Sequence, residues 1–349
     1  MAEQNFKNLL KDIISTLNPR TREIIEKRFG LSSSRGQTLE AIGKQFGITR
    51  ERVRQIESEG LKQLSRDTIT AKLEPVFQLV GNHLKACGGI RREDVLLKEL
   101  GSILLPEEKK SENAVNFVLA LGKKRLVYFE GNDNLHPAWS HSAGVCKDVV
   151  ELASAIKKYI ASSNKLLSHD SMINALKLEA AKMANLNPEP ASLASYLSLS
   201  RHISKNPFGE WGLTQSPEVS PRGVKDKAYL VLKREQNPLH FRQVCDLINK
   251  ISFGTRKAHP QTVHNELIKD SRFVLVGRGT YALRDWGYEP GTVKDVMVNV
   301  LKKAGGALSK EEIIKQVLSR RMVKENTILL NLQNRKTFKR LDNEKFVLA

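Results

Sequence analysis

The sequence predicts a mainly α-helical protein, an N-terminal helix-turn-helix domain followed by tandem winged-helix modules of three helices plus a β-wing. Three observations predict it. Residues 17–66 contain three capped helices separated by glycine turns, and beyond residue 72 a pattern of three amphipathic helices and a short hairpin recurs four times. The recurrence is evenly spaced, with Trp139, Trp211, Tyr281 and Phe346 marking successive hairpins at intervals of 72, 70 and 65 residues. A helical period that switches to a period of two about a Gly or Asp-Asn turn is the pattern of a helical module with a β-wing. The expected segments are 1–72, 73–144, 145–221, 222–290 and 291–349, each small enough to share surface with its neighbours.

In the first segment Asn18-Pro19 reads as an N-cap with proline at the first helical position, and Gly30 stops the helix that carries Ile24 and Ile25. Thr38 caps a second helix with Leu39, Ile42 and Phe46 inward. Gly47 gives the turn, and Thr49 caps a third helix with Val53, Ile56, Leu61 and Leu64 inward. The modules that follow read as helices near 73–86, from 92 and across 113–121, with strands at 125–129 and 135–139. A second copy runs from 146 to 211. The third has helices at 226–234, 240–249 and 261–269 before RFVLVGRGTYAL, and the fourth has helices at 293–303, 309–318 and 327–333 before FKRLDNEKFVLA.

Charge separates the segments. The chain has 349 residues and a formal net charge of +19. Segment by segment this is +5, 0, +1, +6 and +7, so both ends are basic and the middle is neutral. A basic surface concentrates a phosphate backbone and makes binding salt-dependent, which points the ends toward nucleic acid and the middle toward scaffolding or protein contact. No apolar run reaches the ~18 residues of a membrane span, and the start MAEQNFKNLLKD lacks the plan of a signal peptide, so a cytoplasmic, nucleoid-associated protein with no membrane partner is expected. Cys87, Cys146 and Cys245 form no CxxC pair and have no histidine at zinc-ligand spacing, which predicts buried, inert thiols and no metal.

With the inward face of the third helix assigned, Glu51, Arg54, Gln55 and Ser58 point outward, flanked by Arg50 and Arg52. In a helix-turn-helix the start of the second helix of the pair enters the major groove. There Arg donates twice to guanine, Gln pairs with adenine and Glu accepts from cytosine, so Arg50, Glu51, Arg54 and Gln55 are the expected base readers. Arg20, Arg28, Thr38, Lys44, Thr49 and Arg52 suit phosphates.

LNPRTREIIEKRFGL, TLEAIGKQFGITRERVRQIE and GLKQL together resemble region 4 of sigma-70-type transcription initiation factors over about 50 residues, RERVRQIE most specifically. The resemblance implies a domain that reads the minus-35 promoter element and, through a hydrophobic surface, holds the flap of the RNA polymerase core. It sets Arg50, Glu51, Arg54 and Gln55 at base or nearby phosphate contacts, and Arg20 and Arg28 at the backbone. Only 16 residues precede Leu17, which leaves no room for a segment that melts the minus-10 element, so initiation by this chain alone is not expected. Glu59-Gly60 departs from the family's usual basic residue and alanine, bringing an acid and a helix-weakening glycine. NPLHFRQVCDLINK with TVHNELIKDSRFVLVGRGTYALRDWGY resembles a HARE-type winged helix over about 65 residues, a module taken to bind DNA or transcription complexes.

On chemistry alone, Arg256, Lys257, Gln261, Arg272 and Arg278 of the third module could meet phosphates. In the fourth, Arg320, Arg321, Lys324, Arg335, Lys336, Lys339 and Arg340 offer the same. No P-loop, Rossmann fingerprint, HExxH or GxSxG occurs, so the expectation is a non-enzyme with no cofactor. Double-stranded DNA at promoters and RNA polymerase are the expected partners. Two rivals stand beside this: a polymerase-associated protein that competes with sigma factors, and a DNA-recognition subunit of a restriction or modification system.

Overall fold

The computed structural model describes residues 3–31, 35–108, 111–163, 165–251, 253, 256–341 and 344–349. The Asp-Asn turn expected at 342–343 lies outside them. The chain forms two compact units, one of residues 1–204 with 210–214 and one of 205–209 with 215–349.

The first unit begins with helices α1 (Glu3–Ser15), α2 (Pro19–Phe29), α3 (Leu39–Phe46) and α4 (Arg50–Leu64), followed by the short α5 (Asp67–Thr70). The caps fall where the sequence expects them. Asn18 Oδ1 accepts from Thr21 N at 2.8 Å, and Gly30 closes α2 in the left-handed region. The first winged module comprises α6 (Glu74–Ala86), β1 (Ile90–Arg92), α7 (Glu93–Leu104), α8 (Ser111–Leu121), β2 (Val127–Phe129) and β3 (Ala138–Ser140). Glu107 and Glu108, expected at a helix start, sit instead in the turn between α7 and α8. The second module comprises α9 (Ala143–Ser163), α10 (His169–Ala180), α11 (Pro190–Leu199), β4 (Ile203–Lys205) and β5 (Trp211–Leu213). The other unit carries α12 (Val224–Glu235), β6 (Leu239–His240), α13 (Phe241–Ile251), α14 (Pro260–Lys269), β7 (Phe273–Gly277) and β8 (Thr280–Leu283). Then come α15 (Val293–Ala304), α16 (Lys310–Leu318), α17 (Glu325–Leu332), β9 (Phe338–Arg340) and β10 (Phe346–Leu348).

The evenly spaced aromatics mark a shared topology. In every module the extended segment between the first and second helices pairs antiparallel with the last strand, and the partner residue there is the aromatic. The pairs are Arg91 with Trp139, Leu167 with Trp211, Leu239 with Tyr281, and Leu308 with Phe346. A bulky side chain at that register stands on the helical layer, which is why Trp139 and Tyr281 are each only 2% exposed.

The border expected at residue 72 is not a gap in the core. Phe6, Ile13 and Leu17 of the N-terminal segment share one apolar cluster with Phe77, Leu84, Phe117 and Trp139 of the first winged module. Phe29 meets Phe117 edge to face at 5.3 Å between centroids, and Asn113 Nδ2 donates to the carbonyl of Gly30 at 3.2 Å. The helix-turn-helix keeps only a small core of its own, Ile24, Ile42, Val53 and Ile56. Four such residues are too few to hold a domain alone.

Candidate nucleic-acid interface

Thr49 Oγ1 accepts from the backbone of Arg52 at 3.2 Å and starts α4 one residue after the short turn in which Gly47 takes φ 63°. Val53, Ile56 and Leu64 turn into the protein, and Leu61 is half-buried. The opposite face therefore presents Arg50, Glu51, Arg52, Arg54, Gln55 and Ser58, all exposed. They are not independent. Glu51 accepts from Arg54 Nε at 2.9 Å and from Nη2 at 2.7 Å, and Arg52 Nη1 donates to Gln55 Oε1 at 3.0 Å. The hydrogen bond from Arg54 holds the Glu51 carboxyl below its usual range and raises the guanidinium above its own. Both groups are in water, so the pair orients Arg54 rather than stabilising the fold.

A cleft of about 560 Å³ opens beside the turn between α3 and α4, walled by Glu40, Lys44, Ile48, Thr49, Arg50 and Arg52. It combines the open N–H groups of a fifteen-residue helix with cations, the arrangement that suits a phosphate. Lys44 pairs with Glu40 at 3.2 Å, but both are well exposed and a phosphate could displace the carboxylate. Thr38 caps α3 by accepting from Ala41 N at 3.2 Å, and Arg20 is exposed on the first turn of α2.

Arg28 departs from the phosphate-binding role expected of it. Its Nε lies 3.3 Å from Glu57 Oε1 and its Nη1 donates to the carbonyl of Gln37 at 3.2 Å. Glu57, on the flank of α4, turns inward and takes the charge, so Arg28 braces α2 against α4. Gly60 is a second correction. A Cβ there would lie 2.6 Å from Ile25 Cδ1 and 2.7 Å from Thr21 Cγ2, so the glycine permits the close crossing of α2 and α4. Replacing Gly60 with alanine gains about 1 kcal/mol of helix propensity but overpacks a site where Ile25 is fully buried, at a cost of roughly 1–3 kcal/mol. Gly60→Ala is therefore expected to lower the melting temperature and Gly60→Val to lower it much further. A rise with alanine would show that propensity dominates.

In the third module Arg256, Lys257 and Gln261 are exposed together at the start of α14, and Arg278 is exposed on the β7–β8 turn. His259 caps α14, its Nδ1 accepting from Gln261 N at 3.3 Å. Arg272 does not join them. Its guanidinium bridges Asp270 at 2.7 Å and Asp226 at 2.9 Å, and these bonds raise it well above the usual arginine value. In the fourth module Lys324, Arg335, Lys336, Lys339 and Arg340 are exposed. Arg320 and Arg321 are not available: Arg320 faces Glu289 at 3.6 Å, and Arg321 is 8% exposed, bonded to the carbonyl of Gly291. Both lie just before the α16–α17 loop, where Met322 N donates to the carbonyl of Val276 at 3.2 Å and joins the third and fourth modules.

What sequence reading missed is which third helices are free. In α8 all but Glu112 are buried or half-buried, because the helix packs on α2 and α4. α11 is also consumed: Ser195 Oγ donates to the carbonyl of Ile90 at 2.6 Å, and Tyr196 Oη to that of Gly88 at 2.9 Å. Neither can enter a groove. By contrast α14 buries only Val263 and Leu267, and α17 only Ile328 and Leu332. The neutral modules spend their third helices as mortar and the basic ones keep theirs open. The signal in the sequence was the all-round apolar composition of SENAVNFVLAL.

His83, Cys87 and Glu99 also escaped notice, the first two four residues apart on α6. Their ligand atoms lie within 4.8 Å of one another. Arg91 donates to both oxygens of Glu99, Nε at 3.0 Å, and His83 Nε2 lies 2.9 Å from the same carboxylate. A fixed guanidinium thus stands beside any cation that would bind, and burial pushes the Cys87 thiol up, away from the thiolate. The set fits a polar lock joining α6, β1 and α7 better than a metal centre. The Cys146 and Cys245 thiols are likewise raised by burial.

A capped helix pair with an open polar row, repeated in winged modules whose basic members keep their third helices free, defines a DNA-binding protein of the helix-turn-helix class. Residues 13–66 match the family described as Sigma-70, region 4, and residues 222–286 match the HARE-HTH family, a helix-turn-helix domain described as that of ASXL and restriction endonuclease. No curated protein matches the chain. Among the described residues no helix is long and apolar enough to cross a membrane.

Proposed function

We propose that α4 enters the major groove of promoter DNA at minus-35-like elements. Arg50, Glu51, Arg54 and Gln55 read base edges while Arg20, Thr38, Lys44, Thr49 and Arg52 hold phosphates. The observation that carries this reading is the single exposed row on α4, ordered by the Glu51–Arg54 pair and set beside a cationic cleft. Arg256, Lys257, Gln261, Arg278, Lys324, Arg335 and Lys336 extend the contact to further phosphates, and linked sites gain avidity where they engage together. The protein acts by binding alone, at the nucleoid, and touches the flap of core RNA polymerase as a second, weaker partner. DNA ranks first because α8 already covers the apolar flank of α2 and α4.

A binding selection on random duplexes at two salt concentrations tests this. Wild type is expected to enrich one motif, and Glu51→Ala to relax a single base pair by about 1–3 kcal/mol of discrimination. Equal affinity for every sequence would sink base reading. A pull-down with core polymerase lacking DNA separates the rival: retention indifferent to Arg54→Ala and Gln55→Ala, with no motif enriched, would mark a competitor of sigma factors.

A further inference from the structure

The fourth winged module holds a cleft that the N-terminal reader does not explain. Between α17, the first turn of α16 and the β9–β10 wing lies a half-open cavity of about 880 Å³. Its floor is apolar, made by Leu329, Leu332, Phe338 and Phe346. The Phe346 ring is half-exposed, and its backbone is held by two bonds to Leu308, at 2.8 Å and 3.1 Å, so its position is set. Lys310, Arg335, Lys339 and Arg340 stand around the rim, with the exposed amide of Gln333 at the mouth. Among the described residues the one carboxylate paired with these four is Glu344, 2.6 Å from Arg340 with both groups in water.

These features select the occupant. A free phosphate has no use for an apolar floor, and a protein surface in general would meet mixed charges rather than four cations. An unstacked nucleotide supplies both halves, a base with an apolar face and a phosphate on either side of it. Bases in an intact duplex are stacked and cannot reach such a floor. We propose that this cleft binds a nucleotide of single-stranded DNA, the base against Phe346 and the phosphates on Lys310, Arg335 and Lys339. The inference rests on the reading of the chain as a DNA binder and adds to it a strand-opened substrate.

Fluorescence anisotropy of the full chain tests it, with a labelled oligothymidine, a labelled duplex and polyglutamate as competitor. Phe346→Leu keeps the apolar floor but removes the ring, and it is expected to weaken oligothymidine binding about tenfold while leaving duplex binding unchanged. Gln333→Ala, away from the core, is expected to weaken it by a few-fold only. Arg335→Glu with Lys339→Glu should weaken it about a hundredfold and flatten its salt dependence. The proposal is overturned if wild type does not bind oligothymidine, if Phe346→Leu binds it as wild type does, or if polyglutamate displaces it as readily as DNA. Failure of the wild type to bind any duplex would instead overturn the promoter reading.

Discussion

Arg272→Met is expected to destabilise the 222–290 module by roughly 3 kcal/mol, toward the lower end for a broken buried ion pair because Arg272 itself is a third exposed. Its guanidinium neutralises two carboxylates that are only 10% and 14% exposed, and Asp226 also accepts from Arg222 N at 3.2 Å. Removing the cation leaves both acids facing each other in a poorly hydrated corner. Hydrogen bonding to Arg272 holds the Asp270 carboxyl below its ordinary value. Its contribution is therefore complete above the unfolded value of about 4 and is lost as pH falls through the lower native one. In Arg272→Met the native value rises, so acid unfolding should begin at a higher pH. Thermal melts across pH check this. Arg278→Ala, on the exposed wing turn, should show the reverse profile, with unchanged melting and weaker duplex binding that depends less on salt. Equal effects of the two substitutions on DNA affinity would restore Arg272 to the phosphate contacts.

Phe117→Ala is expected to cost about 3–5 kcal/mol, the range for truncating a buried phenylalanine. The side chain is fully buried and packs edge to face on Phe29 of α2. Because α1, α2 and α4 share that cluster with α6, α7 and α8, the loss should spread into the helix-turn-helix. Sequence-selective duplex binding should then fail at a lower temperature, although no DNA-facing residue has changed. Glu112→Ala, on the exposed side of the same helix, should leave both melting and binding as they were. Sequence-selective binding by Phe117→Ala that survives heating as in wild type would show a domain that stands without α8.

The reader helix was legible because local rules govern it. Asn18, Thr38 and Thr49 cap where short polar side chains can, Gly30 and Gly47 take the left-handed turns, and the spacing of Val53 and Ile56 leaves only one face for Arg50, Glu51, Arg54 and Gln55. The modules were legible in the same way, through aromatics that recur at one register of one strand. Arg28, Arg272, Arg320 and Arg321 were not. An arginine is the same letter whether it meets water, a carboxylate or a carbonyl, and its partners Glu57, Asp226, Glu289 and Gly291 lie 29 to 46 residues away or beyond a helix end.

The amino-acid sequence by itself determined helix, turn, cap, module count and the basic bias of both ends, since each depends on residues within a few positions or on simple sums of charge. Which cations stay open, which third helices are buried as mortar, and where an apolar floor meets a cationic rim were decided only by tertiary packing. Burial and ion pairing join residues far apart in the chain, and the free energy of a charged side chain depends on the partner and the water that the fold leaves it.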